Sequence, residues 1–507
     1  MDAITLQQTI DLLKTLQQNQ MPESELAKAT FNQPGSATTG LQLYNLEPAA
    51  KQLYPIHTPL RNMFARVQQV GSVQANWRAV TGINTGNMFA GVMEGRRGGV
   101  LQVTTAEYFA AFRTLGHESD VTFEAQLSAE GFDDLRARAA RSGLESLMVS
   151  EEKCFVGGST SYGINGGSAC PTPTLSTSTA GGALPNTTTF SVVCVPLSFD
   201  GRGRSSLASG VSQTFTYTPA EGGDPVVVHA GAGRQSAAAS IATGATTGTH
   251  SITATVRTGN VNGVRNAFAY AWYWGAAGSE RLGAITNFNQ VIITAAAGGQ
   301  LLSALTQNTD YSKNDQLFDG LLTMAANPAN GAYWDACAPG QGLTADSSGG
   351  IVEIDRALEY FWDVLKLSPT RIIVGTQEVR NIRKKILAQP TAAAARFSFQ
   401  VQQGQLVGGG MARGYLNPYG VGVDGPSEIP FMQHPNMPNG TIMFLTEKLP
   451  YPLSNVSDVI RFLYRQEYYQ VEWPRRARKY EYGVYVDGVL QHYFMPSLGV
   501  ITNIADA

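Results

Sequence analysis

The residues that could do chemistry in this chain are its paired carboxylates, its histidines, its cysteines and one glycine-rich turn. Asp133-Asp134 and Glu151-Glu152 are adjacent pairs in a stretch with helical spacing. Neighbours on a helix point apart, so neither pair builds a general acid/base dyad; both are expected on the helix surface. The histidines are His57, His117, His229, His250, His434 and His492, with no H-x-x-x-H or H-E-x-x-H spacing among them. That gives no metal site. The cysteines Cys154, Cys170, Cys194 and Cys337 contain no C-x-x-C, so zinc and thioredoxin-like readings fail and free thiols in a reducing compartment are expected. Cys170 and Cys194 do not show the paired-cysteine signature of antibody domains. Gly420 to Gly425 matches G-x-G-x-x-G, but Pro418 precedes it and Pro426 and Pro430 follow. No helix can start there, so the dinucleotide fingerprint is not met. No G-x-S-x-G and no P-loop occur. The expectation is no catalytic residue, no cofactor and no metal: this is not an enzyme.

The remaining candidates are contact residues. Arg475, Arg476, Arg478 and Lys479 form the densest basic run, flanked by strand-like aromatics. A nucleic-acid patch is one reading. Strand alternation would split the run between two faces, which favours salt bridges to a neighbouring subunit. A net charge of -3 also gives no basic excess for nucleic acid. Arg96-Arg97, in GRRGG, and Trp77 complete the set of candidate inter-subunit contacts.

The elements that must position them can be read from periodicity. Phe132, Leu135, Ala139, Leu144, Leu147 and Met148 predict a long helix over Phe132–Lys153, about 33 Å at ~1.5 Å per residue. Asp133 and Asp134 would lie in its first turn and Lys153 in its last, as the helix dipole favours, with Gly157-Gly158 as the stop. Gln68–Thr81 and Val100–Leu115 alternate as two strands around a glycine-rich tip, a long hairpin. A two-stranded ribbon of that length is unstable alone in water and should lie on another surface. Residues 1–20 predict a short amphipathic helix and 21–50 an arm that orders on a neighbour.

After a Gly/Ser/Thr/Pro boundary at 159–182, strands are predicted at 189–197, 213–218, 225–229, 235–241, 250–257, 267–274 and 288–294. Seven short strands suggest a β-sandwich of immunoglobulin-like or fibronectin type III-like kind. Helical stripes then return at 316–322 and 354–365, followed by a strand at 371–374 and a helix at 376–387 with Thr376 as N-cap, so the sandwich reads as an insertion. Residues 404–441 are Gly/Pro rich. The chain closes in long strands, with a hairpin expected at Val486–Val489 on an Asp-Gly turn. Charged residues are only 15%, against a usual ~25%, which fits a surface covered by partners. No signal-peptide pattern and no membrane-length apolar run occur, so synthesis in the cytosol is expected.

The order of parts resembles the major capsid proteins of tailed bacteriophages with the Hong Kong 97-type fold. The stretches that carry it are EEKCFVGGSTSYGINGG (151–167), QLFDGLL (316–322), ALEYFWDVLKLSPTRIIVGTQEVRNI (357–382) and IPFMQHPNMPNGTIMFL (429–445). The resemblance implies an α+β fold with an N-terminal arm (1–50) and a peripheral domain part (51–164) holding an extended loop (73–107) and the spine helix (132–153). It further implies an immunoglobulin-like insertion (168–298), a second peripheral part (301–395), an axial domain (396–455) and C-terminal strands returning to the peripheral domain (456–507).

The implied function is structural. Pentamers and hexamers of this chain would form the icosahedral head of a virion, assembled in the host cell cytoplasm around double-stranded DNA without sequence-specific binding. The implied partners are further copies of itself and a portal protein, with scaffolding and cement or decoration proteins as possible additions; no membrane is involved. With Met1 retained, scaffolding would be a separate protein. Some relatives weld subunits through a lysine in the extended loop. Here no lysine lies between 52 and 152, so no such weld is expected, and denatured particles should run as one monomer band. The alternatives are an encapsulin-like bacterial nanocompartment, or a surface adhesin built on the sandwich.

Overall fold

The computed structural model describes residues 51–69, 71–83, 91–245, 248–257, 262–346, 349–387, 399–402, 405–408, 413–419 and 428–506. The expected N-terminal arm with its helix, and the glycine-rich 420–425, lie outside the described residues. The chain divides into two compact units, 1–53 with 127–134, and 54–126 with 135–507. In the first, the described part is a turn in which the Phe132 and Asp133 N–H groups both reach the Ala129 carbonyl, at 2.9 and 3.1 Å. Everything below concerns the second unit.

It opens with α1 (Pro59–Met63), β1 (Ala65–Gln68) and two strands, β2 (Gln74–Ile83) and β3 (Val103–Ala111). Among the described residues β2 and β3 pair only with each other, antiparallel, from Gln74 opposite Ala111 to Ile83 opposite Val103, with a bulge at Val80/Gly82. The expected hairpin therefore forms, but its strands are shorter than the alternation predicted. Phe112 is buried, and the chain there leaves the ribbon for β4 (Arg113–Thr122) and α2 (Phe123–Ser128).

The long helix α3 runs from Leu135 to Gly157, displaced from the expected 132–153. Asp133 and Asp134 thus precede the helix instead of filling its first turn. Most of its C-terminal part is buried, at Leu147, Glu151, Glu152, Cys154, Phe155 and Val156, with Lys153 left exposed. It passes Lys153 because the Gly158 N–H still reaches the Cys154 carbonyl, at 3.0 Å. It then stops where two backbones cross. The Gly320 N–H donates to the Gly158 carbonyl at 2.8 Å, and a Cβ on Gly158 would lie 2.2 Å from the Phe318 carbonyl oxygen.

Residues 168–298 form two antiparallel sheets from β5 (Thr174–Ser178), β6 (Thr189–Leu197), β7 (Thr214–Tyr217), β8 (Val226–His229), β9 (Ala239–Ala242), β10 (Ser251–Thr255), β11 (Ala269–Gly275), β12 (Arg281–Thr286) and β13 (Gln290–Ile293), with α4 (Phe199–Arg204) after β6. One sheet is ordered β9-β6-β11-β12 and the other β5-β10-β13; β7 and β8 stand apart as a hairpin. Val192, Cys194, Tyr270, Trp272 and Trp274 of the first sheet share a core with Ile252, Ala254 and Ile293 of the second. The odd face of β6 (Val193, Val195, Leu197) is also buried, against Ala271, Tyr273, Leu302 and Leu305. Burial of both faces explains the continuous apolar run FSVVCVPL. Setting the β7–β8 hairpin aside, the second strand (β6) pairs with the third (β9) and fifth (β11). In the immunoglobulin order the second strand pairs with the first and fifth. The two-sheet unit is present, in a different strand order from the one expected.

The remainder comprises α5 (Leu321–Ala326), β14 (Tyr333–Ala336), α6 (Val352–Leu365), β15 (Arg371–Val374), α7 (Thr376–Leu387), the paired β16 (Phe399–Gln402) and β17 (Gln405–Gly408), β18 (Gly414–Leu416), β19 (Glu428–Gln433), β20 (Ile442–Leu445), β21 (Ile460–Glu472), β22 (Lys479–His492) and β23 (Gly499–Thr502). A mixed sheet, β14-β23-β20-β15-β19-β18, carries α6 and α7 on a core that includes Phe361, Ile372, Ile382, Tyr415, Phe444 and Ile501. The domain boundary expected at 395 therefore runs through one shared core. A second sheet, β1-β21-β22-β4, supports α3 through β4 and β22.

The expected Asp-Gly hairpin is absent, because Asp487 and Gly488 sit inside the continuous strand β22. Gly488 is there for space: a Cβ would lie 2.1 Å from the Phe462 ring. The real connection is 473–478, between β21 and β22.

Candidate assembly surfaces

The end of α3 is a buried ionic node. Glu152 is fully buried, and its Oε1 accepts from the Leu60 N–H and from His434 Nε2, at 2.8 and 2.7 Å. Its Oε2 accepts from the Arg61 N–H at 2.8 Å. His434 Nδ1 accepts from the Asn436 N–H at 3.2 Å, so the ring proton lies on Nε2 and points at the carboxylate. One side chain thus caps the start of α1, holds the 434–436 turn and stands on the spine.

Glu151 faces the other way. Arg66 Nη1 reaches both its oxygens, at 3.1 and 3.3 Å, and the Tyr468 hydroxyl donates to Oε2. Burial lifts the Glu151 pKa, and the Arg66 charge pulls it back. Arg66 also lies over the Phe462 ring at 4.5 Å and bonds Glu467 at 2.9 Å. The pair expected on a helix surface is therefore fully buried. Adjacency predicted correctly that the two carboxylates diverge. What sequence could not show is that each diverges into waiting donors. The apolar neighbours Cys154-Phe155-Val156 were the available signal.

The ribbon is the opposite kind of surface. At its base Trp77 stacks on Tyr108 (5.8 Å between ring centroids) and meets the edge of Tyr493 (6.1 Å). Its indole Nε1 is buried with no acceptor among the described residues. Trp77 therefore anchors the ribbon to its own chain. At the base Phe109, opposite Asn76, is 69% exposed; toward the tip Val80, Ile83 and Val103 are 53–63% exposed, and Met93 and Val100 in the connecting segment are more exposed still. A cleft of about 370 Å³ opens under the base, between Trp77, Tyr108, Phe318, Met324 and Met495. Arg96 and Arg97 are exposed next to a turn closed by the Arg96 N–H on the Met93 carbonyl at 3.0 Å.

The basic run lies in the β21–β22 turn and the first residue of β22, so the alternation expected of it does not occur. Its residues have partners within the chain. The Arg475 guanidinium lies 4.4 Å over Tyr480, and Arg476 Nη1 donates to the Glu221 carbonyl at 2.6 Å. Arg478 pairs with Glu124 at 2.8 Å, and Lys479 with Asp120 and Glu481 at 3.0 and 2.8 Å. The structure does not bring this turn together with Trp77 or with Arg96-Arg97 into one site.

Among the described residues no group of three or more His, Cys, Asp or Glu is placed to hold a metal, and no helix is long and apolar enough to cross a membrane.

No protein-family model matches the chain, and no curated protein does. Solved structures do. The chain is similar to the holo-SrpI encapsulin complex from Synechococcus elongatus PCC 7942 at 10% identity, covering 95% of this chain and 94% of that one, with a TM-score of 0.38. It is similar to the capsid of the native GTA particle at 8% identity, covering 93% and 99%, with a TM-score of 0.38. The capsid of the cyanophage P-SCSP1u gives 8% identity, coverage of 94% and 100%, and a TM-score of 0.38. Scores at this level leave the functional reading to rest on the chain's own geometry.

Proposed function

We propose that this chain is the repeating shell subunit of a tailed-phage head of the Hong Kong 97 type. Pentamers and hexamers of it would close around double-stranded DNA, with a portal protein, and scaffolding or cement proteins, as further partners. The observation that carries the reading is the ribbon. Its apolar side chains stand in water on a two-stranded element with which no third strand pairs among the described residues. Each such side chain is worth about 1.5–3 kcal/mol when fully buried, and the single chain forgoes much of that.

A second copy supplies the missing surface. Repeated head to tail, such contacts close into rings. Each contact formed raises the effective concentration for the next, so modest interfaces add up. The node at Glu152 supports this division of labour. It fixes the chain at residues 60 and 61 on the spine. Trp77 then acts as the pivot of the ribbon, while Arg96 and Arg97 remain candidate contacts to a neighbour. The basic turn makes inter-subunit salt bridges only by exchanging partners it already has. The two-sheet unit between α3 and α5 is read as an insertion into the shell fold.

The test is the purified protein at high concentration, followed by light scattering, negative-stain imaging and nuclease treatment. Closed shells holding nuclease-resistant DNA are expected. A monodisperse monomer with the ribbon folded on its own body overturns the proposal. Closed shells loaded with protein and free of nucleic acid replace the phage head with a nanocompartment.

A further inference from the structure

Cys170 and Cys194 are the only cysteines inside the inserted two-sheet unit. They meet in its core. Cys194, on β6, is opposite Trp272 of β11 and fully buried. Its N–H donates to Ser236 Oγ at 2.9 Å, and its carbonyl accepts from the Ser236 N–H at 2.8 Å. Two residues back along that same segment, the Arg234 carbonyl accepts the Cys170 N–H at 3.1 Å. One extended stretch, 234–236, therefore holds both cysteine backbones in place, and both side chains are buried in one core with Tyr270. The other two cysteines cannot compete, because Cys154 and Cys337 belong to separate cores.

We infer that Cys170 and Cys194 are a latent cross-link site, forming a disulfide that ties the start of the insertion to its central strand β6. The oxidant is a low-molecular-weight disulfide such as oxidised glutathione. The Cys170 thiolate attacks it, giving a mixed disulfide and releasing one glutathione thiolate. The Cys194 thiolate then displaces the second, so the protein loses two electrons and two protons and the oxidant leaves as two thiols.

Access comes through the first cysteine. Ser168, Ala169 and Thr172 around it are exposed, so a short local opening uncovers Cys170 without unfolding either sheet. In the closed state both thiols are sheltered, and burial keeps the Cys194 thiol from ionising at neutral pH. Oxidation should therefore be slow at rest and faster when the protein is warmed below its melting point.

The experiment uses the full chain, incubated with oxidised or reduced glutathione, denatured in N-ethylmaleimide and mapped by peptide mass. The expected result is a peptide pair joining residues 170 and 194, with Cys154 and Cys337 alkylated. It should be reversed by dithiothreitol and accompanied by a melting-temperature rise on the order of a few degrees. Cys170→Ala and Cys194→Ala should each abolish both the pair and the oxidation-dependent rise. Alkylation of all four cysteines after prolonged oxidation, or glutathione persisting on one cysteine, overturns the inference. So does pairing with Cys154 or Cys337. The wild-type map decides the matter even where a variant does not fold.

Discussion

The node at the end of α3 and the ribbon β2–β3 spend their side chains in opposite ways. At the node, two carboxylates are wholly buried, yet every oxygen has a donor from another element: Leu60, Arg61, Arg66, Tyr468 or His434. At the ribbon, the backbone is satisfied within one hairpin while valine, isoleucine and phenylalanine face water. The difference teaches where each part of the chain completes itself. The node is finished inside one copy and sets that copy's stability. The ribbon is unfinished, and its side chains are free to contribute to association.

The strongest test of this contrast removes the node's centre. Glu152→Ala strands two N–H groups and an imidazole in the core, and should cost about 3–5 kcal/mol. Denaturant unfolding of the dissociated subunit would measure it, and a loss under 1 kcal/mol would show that the node is ornamental. Next comes the converse. Phe109→Asp, on the exposed part of the ribbon, should change subunit stability by no more than about 0.5 kcal/mol yet abolish particles in light scattering. Equal damage to both readouts would erase the distinction between the two regions.

Glu378 is an intermediate case, a buried carboxylate only half provided for. Its Oε1 accepts the Gly440 N–H at 2.7 Å, while Oε2 has no partner among the described residues. Burial pushes its pKa from 4.5 up to about 7. The folded state then holds this proton over a pH range in which the unfolded chain has released it. Its contribution is full below pH 4.5 and is lost as pH rises through 7, by roughly 3 kcal/mol. Glu378→Gln should flatten that fall in a melting-temperature series. His492 acts with the opposite sign, since burial lowers its pKa to about 3 and stability is lost as pH falls below 6.5. The smallest effect is expected at the basic turn. Arg478 and Glu124 are both largely exposed, so Arg478→Ala should cost under about 1 kcal/mol. A large loss of particles with unchanged melting would return that turn to the inter-subunit class.

Much of the scaffold could be read from periodicity. The limits of β6 and α7 match the predicted strand and helix, because β6 is a continuous apolar run and α7 carries an apolar stripe at helical spacing. β5 and β12 escaped, being TLSTS and RLGAIT, in which small polar residues hide the alternation. Asp487-Gly488 misled for another reason. The dipeptide has the chemistry of a turn, but here the glycine makes room for Phe462 and the aspartate bonds Arg465 at 2.7 Å. The node was invisible for the same reason: its partners come from positions 60, 61, 66, 434 and 468, and only the fold brings them together.

The crossing at Gly158 and Gly320 carries an evolutionary consequence. Added carbons there would strike main-chain oxygen atoms at 2.2 and 2.4 Å, and no rotamer can relieve a collision with a peptide group. Drift elsewhere in the chain can be absorbed by repacking, but these two sites admit a single amino acid. In a saturation library selected for particle yield they should survive as fixed letters, even where everything around them has changed.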